Sequence, residues 1–203
     1  MSEIYIHPTA VVSEHAIIGD GTKIWMSVQI REDTRIGRNC IIGRNVYIEN
    51  GVTLGDNCKV QNNALLYHHA VLEDGVFIGP GVILTNDKTP RAVNPDGTLK
   101  GAADWHAGKI FIRRGASVGA GSVVLTDLEI GAWALIAAGS VVTRNVPAHA
   151  LALGTPARVV GYVCKCGEQL QAHGANGERI WLCARDGSRY RMNSQGDLRI
   201  SNA

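Results

Sequence analysis

From Ile6 onward every sixth residue is aliphatic. The series runs Ile6, Val12, Ile18, Ile24, Ile30, Ile36, Ile42, Ile48, Leu54, Val60, Leu66, Leu72, Ile78 and Leu84. It breaks there and resumes at Ile112, Val118, Val124, Ile130, Ile136 and Val142. Four residues after most of these stands a small or apolar residue, as at Ala10, Val28, Cys40, Val46, Cys58, Ala64, Ala116 and Ser122. Glycine often follows the aliphatic residue, as at Gly19, Gly37, Gly55, Gly79 and Gly119. A helix would repeat every 3.6 residues and a half-buried strand every 2. A period of six fits neither alone. It fits a parallel β-helix in which six residues make one short side of a prism and three such units make a coil. The expected class is therefore all-β: hexapeptide repeats, one long excursion loop and a small C-terminal cap. Each aliphatic side chain should point inward and stack on its equivalent one coil later, with about 4.8 Å between coils.

The break in register sets the organisation. Residues 1–147 are expected to form the β-helix, and 85–111 the excursion loop. Pro90, Pro95, Asp96-Gly97, Gly101 and Gly108 supply its turn chemistry. A loop this long between regular elements is usually functional. Residues 148–203 change character and should cap one end of the prism, which otherwise leaves an open edge. This tail carries Cys164-Lys165-Cys166-Gly167 and Cys183-Ala184-Arg185-Asp186-Gly187. The pattern resembles a zinc ribbon in which Asp186 stands where a fourth Cys is expected. A metal-free pair of hairpins is preferred, with structural zinc as the alternative. Cys40 and Cys58, at the inward small position, are expected to be stacked core thiols.

Composition narrows the function classes. A formal net charge of +2 advertises neither nucleic acid nor an anionic membrane. Apolar residues at 45% and charged ones at 19% suit an ordered globular chain. Twenty-four glycines against two phenylalanines suit many tight corners around a thin core. No secretory signal or apolar membrane span is recognised, so the expected compartment is the cytoplasm.

The period also locates chemistry, because residues one coil apart should lie above one another. One outward column reads Glu32, Asn50, His68, Asn86, and the next Asp33, Gly51, His69, Asp87. Asn86, Asp87, His68 and His69 should therefore meet at the mouth of the excursion loop. An amine attacking a thioester must be uncharged and must lose a proton. Asn86 can orient such an amine and His68 or His69 can accept its proton, while Asp87 can orient a histidine or the amine itself. His106 is a candidate for reaching a neighbouring subunit's site. His7, His15 and His149 have no comparable partners.

These residues resemble the nucleotide-amino-sugar N-acetyltransferases with a left-handed β-helix, in particular those acting on UDP-2-acetamido-3-amino-2,3-dideoxy-glucuronate. The resemblance rests on Lys59-Val60-Gln61-Asn62-Asn63, the run from Leu72 to Pro80, and Leu84-Thr85-Asn86-Asp87. It also rests on the ending from Ala137 to Thr143 followed by Gly154-Thr155-Pro156-Ala157-Arg158. The left-handed sense comes from the resemblance alone. It implies acetyl-CoA as co-substrate, a nucleotide-linked amino sugar as acceptor, a homotrimer with sites between subunits, and a role in surface polysaccharide synthesis. It implies Ala120, Ala138, Thr155 and Arg158 as CoA contacts, and Arg31, Glu32, His69 and Asn62 on the substrate side. Asn86 matches an asparagine that touches the sugar amine. Two departures stand out. Tyr67-His68-His69 replaces a Tyr-Glu-Gly common in relatives, and Lys88-Thr89-Pro90 replaces the His-Pro of galactoside and xenobiotic acetyltransferases. The second departure speaks against a hydroxyl acceptor, which needs a dedicated base.

Three alternatives stay open from sequence: a different acceptor or acyl chain on the same fold, a non-catalytic β-helix scaffold, and a zinc enzyme like the γ-class carbonic anhydrases. The last lacks its histidine pair spaced five apart.

Overall fold

The computed structural model describes residues 3–173, 180–193 and 198–201. Short parallel strands recur every six residues and stack into three faces. The first face carries Ile6, Ile24, Ile42, Val60, Ile78, Val118, Ile136 and Ala152 in register, one per coil, which defines eight coils. The second face holds seven strands, from Val11–Val12 to Val141–Val142, and the third six, from Ile17–Ile18 to Leu128–Ile130. The fold is thus an all-β parallel solenoid, with a 3-10 turn at Ala102–Asp104.

The inward aliphatic column is buried from Ile24 to Val142. Each such side chain contributes about 1.5–3 kcal/mol relative to exposure. Ile6 remains 43% exposed, because no coil lies beneath it among the described residues.

The small inward positions follow a second rule. Thr22, Thr34, Cys40, Cys58 and Ser122 each donate a side-chain hydrogen bond to the carbonyl fifteen residues ahead, on the next coil. A buried hydroxyl or thiol is tolerated here because that carbonyl is always in place. Cys40 and Cys58 are both free, buried and part of the core, as the period predicts.

Corners are made by left-handed residues spaced by six: Gly21, Ser27, Asp33, Asn39, Asn45, Gly51, Asn57 and Asn63, then Gly75 and Gly81. Glycine, asparagine and aspartate accept this conformation at least cost. His69 occupies the corner position between Asn63 and Gly75 and does not adopt it. The regular corner therefore fails at Tyr67-His68-His69, and the strand that follows, Ala70–Leu72, has three residues rather than two.

The excursion occurs on the following coil. Leu54 pairs with Leu72, eighteen residues on, but Leu72 pairs with Ile112, forty residues on. The coil thus carries a 22-residue insertion. Its neck is closed by the Gly108 amide donating to the Asn86 carbonyl at 2.9 Å. Register is already restored at Ile110, inside the span 85–111 that the sequence assigns to the loop.

At the other end the coil pattern runs past residue 147. Ala150–Gly154 pairs in parallel with the first face, and the chain then reverses to lay Ala157–Tyr162 antiparallel against it. A four-stranded antiparallel sheet follows, built from Gln171–His173, Ile180–Leu182, Arg189–Met192 and Leu198–Ile200. It has its own small core around Trp181, Tyr190 and Leu198. Aromatic edges join it to the solenoid: His149 meets Tyr190 at 4.9 Å and Tyr162 meets Trp181 at 5.4 Å between ring centroids.

Candidate functional site

The insertion folds over the corner between the second and third faces. Beneath it lies an open pocket of about 460 Å³ lined by Glu49, Tyr67, Asn86, Asp87, Arg91, Ala92, Leu99, Lys100 and Trp105. Asn86 lies just past the end of strand Ile83–Leu84, where the insertion begins, and its half-buried side chain lines the pocket. Its amide nitrogen donates to Glu49 Oε2 at 3.4 Å. The same oxygen accepts the backbone N–H of His68 at 2.9 Å. A carboxylate only accepts, which fixes the NH₂ of Asn86 toward Glu49 and frees its carbonyl.

His68 is also fixed. Its Nδ1 lies 2.6 Å from the Asn50 carbonyl, one coil below. A carbonyl only accepts, so Nδ1 carries the proton and Nε2 keeps a lone pair. The His69 ring lies against that of His68, tilted by 40° with centroids 3.4 Å apart. Burial lowers the His69 pKa, helped by the neighbouring charges of His68, Lys109 and His106. Its buried Nδ1 has no hydrogen-bond partner. Asp87 shares the pocket, and its Oδ1 accepts the Thr89 amide at 2.8 Å, which sets the first turn of the loop.

Asn86 and Asp87 thus meet in one pocket, with His68 joined to them through Glu49. Arg31 and Glu32 lie lower on the same corner. Neighbours in sequence, they form a bidentate pair at 2.9 and 2.7 Å. Hydrogen bonds to Glu32 and then Tyr47 raise the Arg31 pKa, and the Arg31 hydrogen bond lowers that of Glu32.

Asn62 lies elsewhere. Its Oδ1 accepts the Arg44 amide at 2.9 Å on the corner between the first and second faces. That corner is a continuous ladder of amides donating one coil down: Gly81 to Asn62, Gly121 to Pro80 and Gly139 to Ala120. Thr155 extends it, its hydroxyl donating to the Gly139 carbonyl at 3.5 Å. Ala120, Ala138 and Thr155 therefore form one exposed ledge over the upper three coils. Arg158 stands across the hairpin from Leu153 beside it. A methyl group on Gly119 would meet the Ala138 backbone nitrogen, so the coils pack tightly under the ledge.

Sequence columns miss Glu49, Tyr67, Arg91, Lys100 and Trp105. The first two are accessible to the same rule. One place earlier, the column reads Arg31, Glu49, Tyr67, Thr85. The loop residues carry no such signal, since an irregular segment has no period.

A second opening of similar size lies by Glu73, Arg113 and Glu129. Arg113 bonds both carboxylates there, at 2.9 and 2.6 Å, leaving the three charges mutually satisfied. Three cysteines and Asp186 converge in the terminal sheet. No helix among the described residues is long and apolar enough to cross a membrane.

Comparison with known proteins finds related repeats and a related fold. Residues 15–50 and 51–86 match the family described as bacterial transferase hexapeptide (six repeats), and residues 33–68 match the hexapeptide repeat of succinyl-transferase. Over 64 residues the chain is 50% identical to dTDP-3-amino-3,6-dideoxy-alpha-D-galactopyranose 3-N-acetyltransferase of Aneurinibacillus thermoaerophilus, covering 32% of this chain and 33% of that one. Over 87 residues it is 40% identical to serine acetyltransferase of Escherichia coli K12, covering 42% and 31%. The matched segments thus span about a third of these curated relatives. Among solved structures, a point mutant of the N-acyltransferase AntD of Bacillus cereus, in complex with dTDP and coenzyme A, superposes with a TM-score of 0.55. It covers 77% of this chain and 79% of that one at 17% identity, which speaks to fold alone. The product of the BC4754 gene of Bacillus cereus, assigned as an acetyltransferase, gives a TM-score of 0.51 at 28% identity, over 76% and 78%.

Proposed function

We propose that this chain, a hexapeptide-repeat solenoid of the bacterial transferase type, transfers an acetyl group from acetyl-CoA to the amine of a nucleotide-linked amino sugar. The observation that carries the proposal is the pocket-lining Asn86 side chain, whose NH₂ is taken up by Glu49 and whose carbonyl is left to accept from a ligand. A neutral amine can donate one N–H to that carbonyl and keep its lone pair for the thioester carbon. The new N–C bond forms as the C–S bond breaks, and the amine proton leaves through His68 Nε2 to solvent or to the departing thiolate. Asp87 attracts the amine into position. Arg91 and Lys100 supply cations suited to a diphosphate, and Tyr67 and Trp105 supply faces suited to a sugar or base. Arg31, Glu32 and His69 belong to the acceptor side of this site. The 50%-identical relative, a 3-N-acetyltransferase of a dTDP-linked 3-amino sugar, supports an acceptor of this kind.

The acetyl-CoA ledge of Ala120, Ala138, Thr155 and Arg158 lies on a different corner from the Asn86 pocket. A homotrimer around an axis parallel to the solenoid would resolve this. Such rotation preserves height, so the ledge of one chain, on coils six to eight, would stand beside and just above the Asn86 pocket of the next, on coil five. Asn62, on coil four, would face the level of His68. The acyl donor would then run down the upper coils and present its thioester at the acceptor amine.

Incubation with acetyl-CoA and a UDP- or dTDP-linked 3-amino sugar, followed by mass spectrometry, tests the proposal. The acceptor should gain one acetyl group in amide linkage. Acetylation of serine in place of any amino sugar would favour the second acceptor class suggested by the serine acetyltransferase match.

A further inference from the structure

We propose that Cys164, Cys166, Cys183 and Asp186 form a structural zinc site that pins the terminal sheet to the open end of the solenoid. One ligand atom from each lies within 4.8 Å of all the others. The Cys166 and Cys183 sulfurs are 3.6 Å apart, and Cys164 Sγ is 3.3 Å from Asp186 Oδ2. A tetrahedral zinc with Zn–S bonds of about 2.3 Å separates two sulfurs by about 3.8 Å and a sulfur from an oxygen by slightly less. Two of the six separations thus match those of a tetrahedral site, and all six stay within 4.8 Å, so a small closure would bring the set around one ion.

The two halves of the site are built alike. Cys164 donates its amide to the Glu168 carbonyl, and Cys183 donates its amide to that of Ser188. Within each turn a left-handed glycine directly follows the last ligand, Gly167 after Cys166 and Gly187 after Asp186, and donates back to the first cysteine's carbonyl. Paired tight turns that each offer two ligands are a way to build a closed four-ligand site from hairpins.

Asp186 is positioned as a ligand, not as a surface acid. Its Oδ1 accepts the Ser188 amide at 2.9 Å, which turns Oδ2 toward the thiols. The Tyr190 hydroxyl donates to Cys164 Sγ at 3.1 Å and accepts the Lys165 amide at 3.1 Å. A donor aimed at a ligand sulfur orients it and tempers its negative charge when metal binds. Three thiolates with one carboxylate favour zinc over the hard cations, and four protein ligands leave no open position for chemistry. The role is structural. Tyr190 also packs against His149 of the eighth coil, so the ion would lock the sheet to the solenoid through one shared ring. The proposal thus takes up the zinc alternative that the sequence left open beside a metal-free hairpin pair.

The full chain, purified with its thiols reduced, should contain one zinc per chain by elemental analysis. Chelation should lower its Tm, and zinc should restore it. Cobalt loading should give the visible bands of a tetrahedral thiolate site. Cys183→Ala should lose the metal while the circular dichroism of the solenoid persists. Asp186→Cys should keep it and raise the thiolate-to-cobalt absorbance by about a third, one thiolate added to three. A reduced, folded chain that takes up no stoichiometric zinc would overturn the proposal. So would zinc retained by Cys183→Ala, or a cobalt spectrum indifferent to Asp186→Cys. The last test holds even if the alanine variant does not fold.

Discussion

The Asn86 amide reaches down two coils to Glu49, donating at 3.4 Å to a carboxylate oxygen that also holds the His68 backbone. One acidic residue thus sets the orientation of the candidate amine-binding group and the height of the candidate base. Asn86→Ala should lower kcat about 100-fold, the usual loss for one oriented polar group at a reacting centre. Glu49→Gln keeps the shape but can present an NH₂ to Asn86 and release its orientation. It should cost roughly tenfold or more in kcat with little change in the KM for acetyl-CoA. Initial rates of thiol release check both.

His68→Ala should lower the turnover number more than it raises the acceptor KM. With Nδ1 committed to Asn50, Nε2 is the ring nitrogen left to accept the amine proton, and the variant lacks it. An unchanged rate in a folded His68→Ala chain would remove the residue from the mechanism.

The proposed homotrimer, with each site shared between neighbouring chains, predicts complementation. Asn86→Ala chains and chains carrying Ala138→Trp, which blocks the ledge, should each be inactive alone. Dissociated and reassembled together, they should recover about a quarter of the wild-type rate, because random pairing joins the intact halves at that frequency. No recovery in mixed trimers would place both halves of the site on one chain.

His149 gives the cap a pH dependence. It is 5% exposed, its Nδ1 bonds the Val163 carbonyl at 2.9 Å, and burial lowers its pKa, with Lys165 adding to the shift. A histidine that resists protonation when folded binds more protons when unfolded. Stability should thus rise with pH across the window between its lowered folded pKa and the ordinary value of 6.5. His149→Asn should flatten this part of the Tm-versus-pH curve. Asparagine tolerates the left-handed backbone found there, φ 61°, and can still donate to Val163.

The solenoid is legible in the sequence because its constraint is periodic. One aliphatic residue per hexapeptide fills a core too thin for alternatives, so Ile6 through Leu84 show the coils in plain order. The same period correctly brings Asn86 and Asp87 to one outward corner. It fails where the chain stops repeating. Trp105, Lys100 and Arg91 reach the pocket from an insertion whose path depends on its own turns and on the Gly108–Asn86 hydrogen bond. Asn62 reads as part of the acceptor side, although its corner is that of Ala120 and Ala138. Its two-residue offset from Val60 matches that of Asn86 from Leu84, but Val60 belongs to another face. The terminal cysteines are legible as a pattern. Their convergence is not, because antiparallel pairing of separated strands leaves no period to follow.

Thiol release from acetyl-CoA, measured against matched nucleotide sugars bearing an amine or a hydroxyl at the same carbon, tests the central claim most directly. Rapid release with an amino sugar and none with its hydroxyl counterpart is the predicted result, with the amine at carbon 3 preferred to carbon 4. A folded chain that binds CoA yet acetylates no amino sugar, or prefers the hydroxyl, would contradict it.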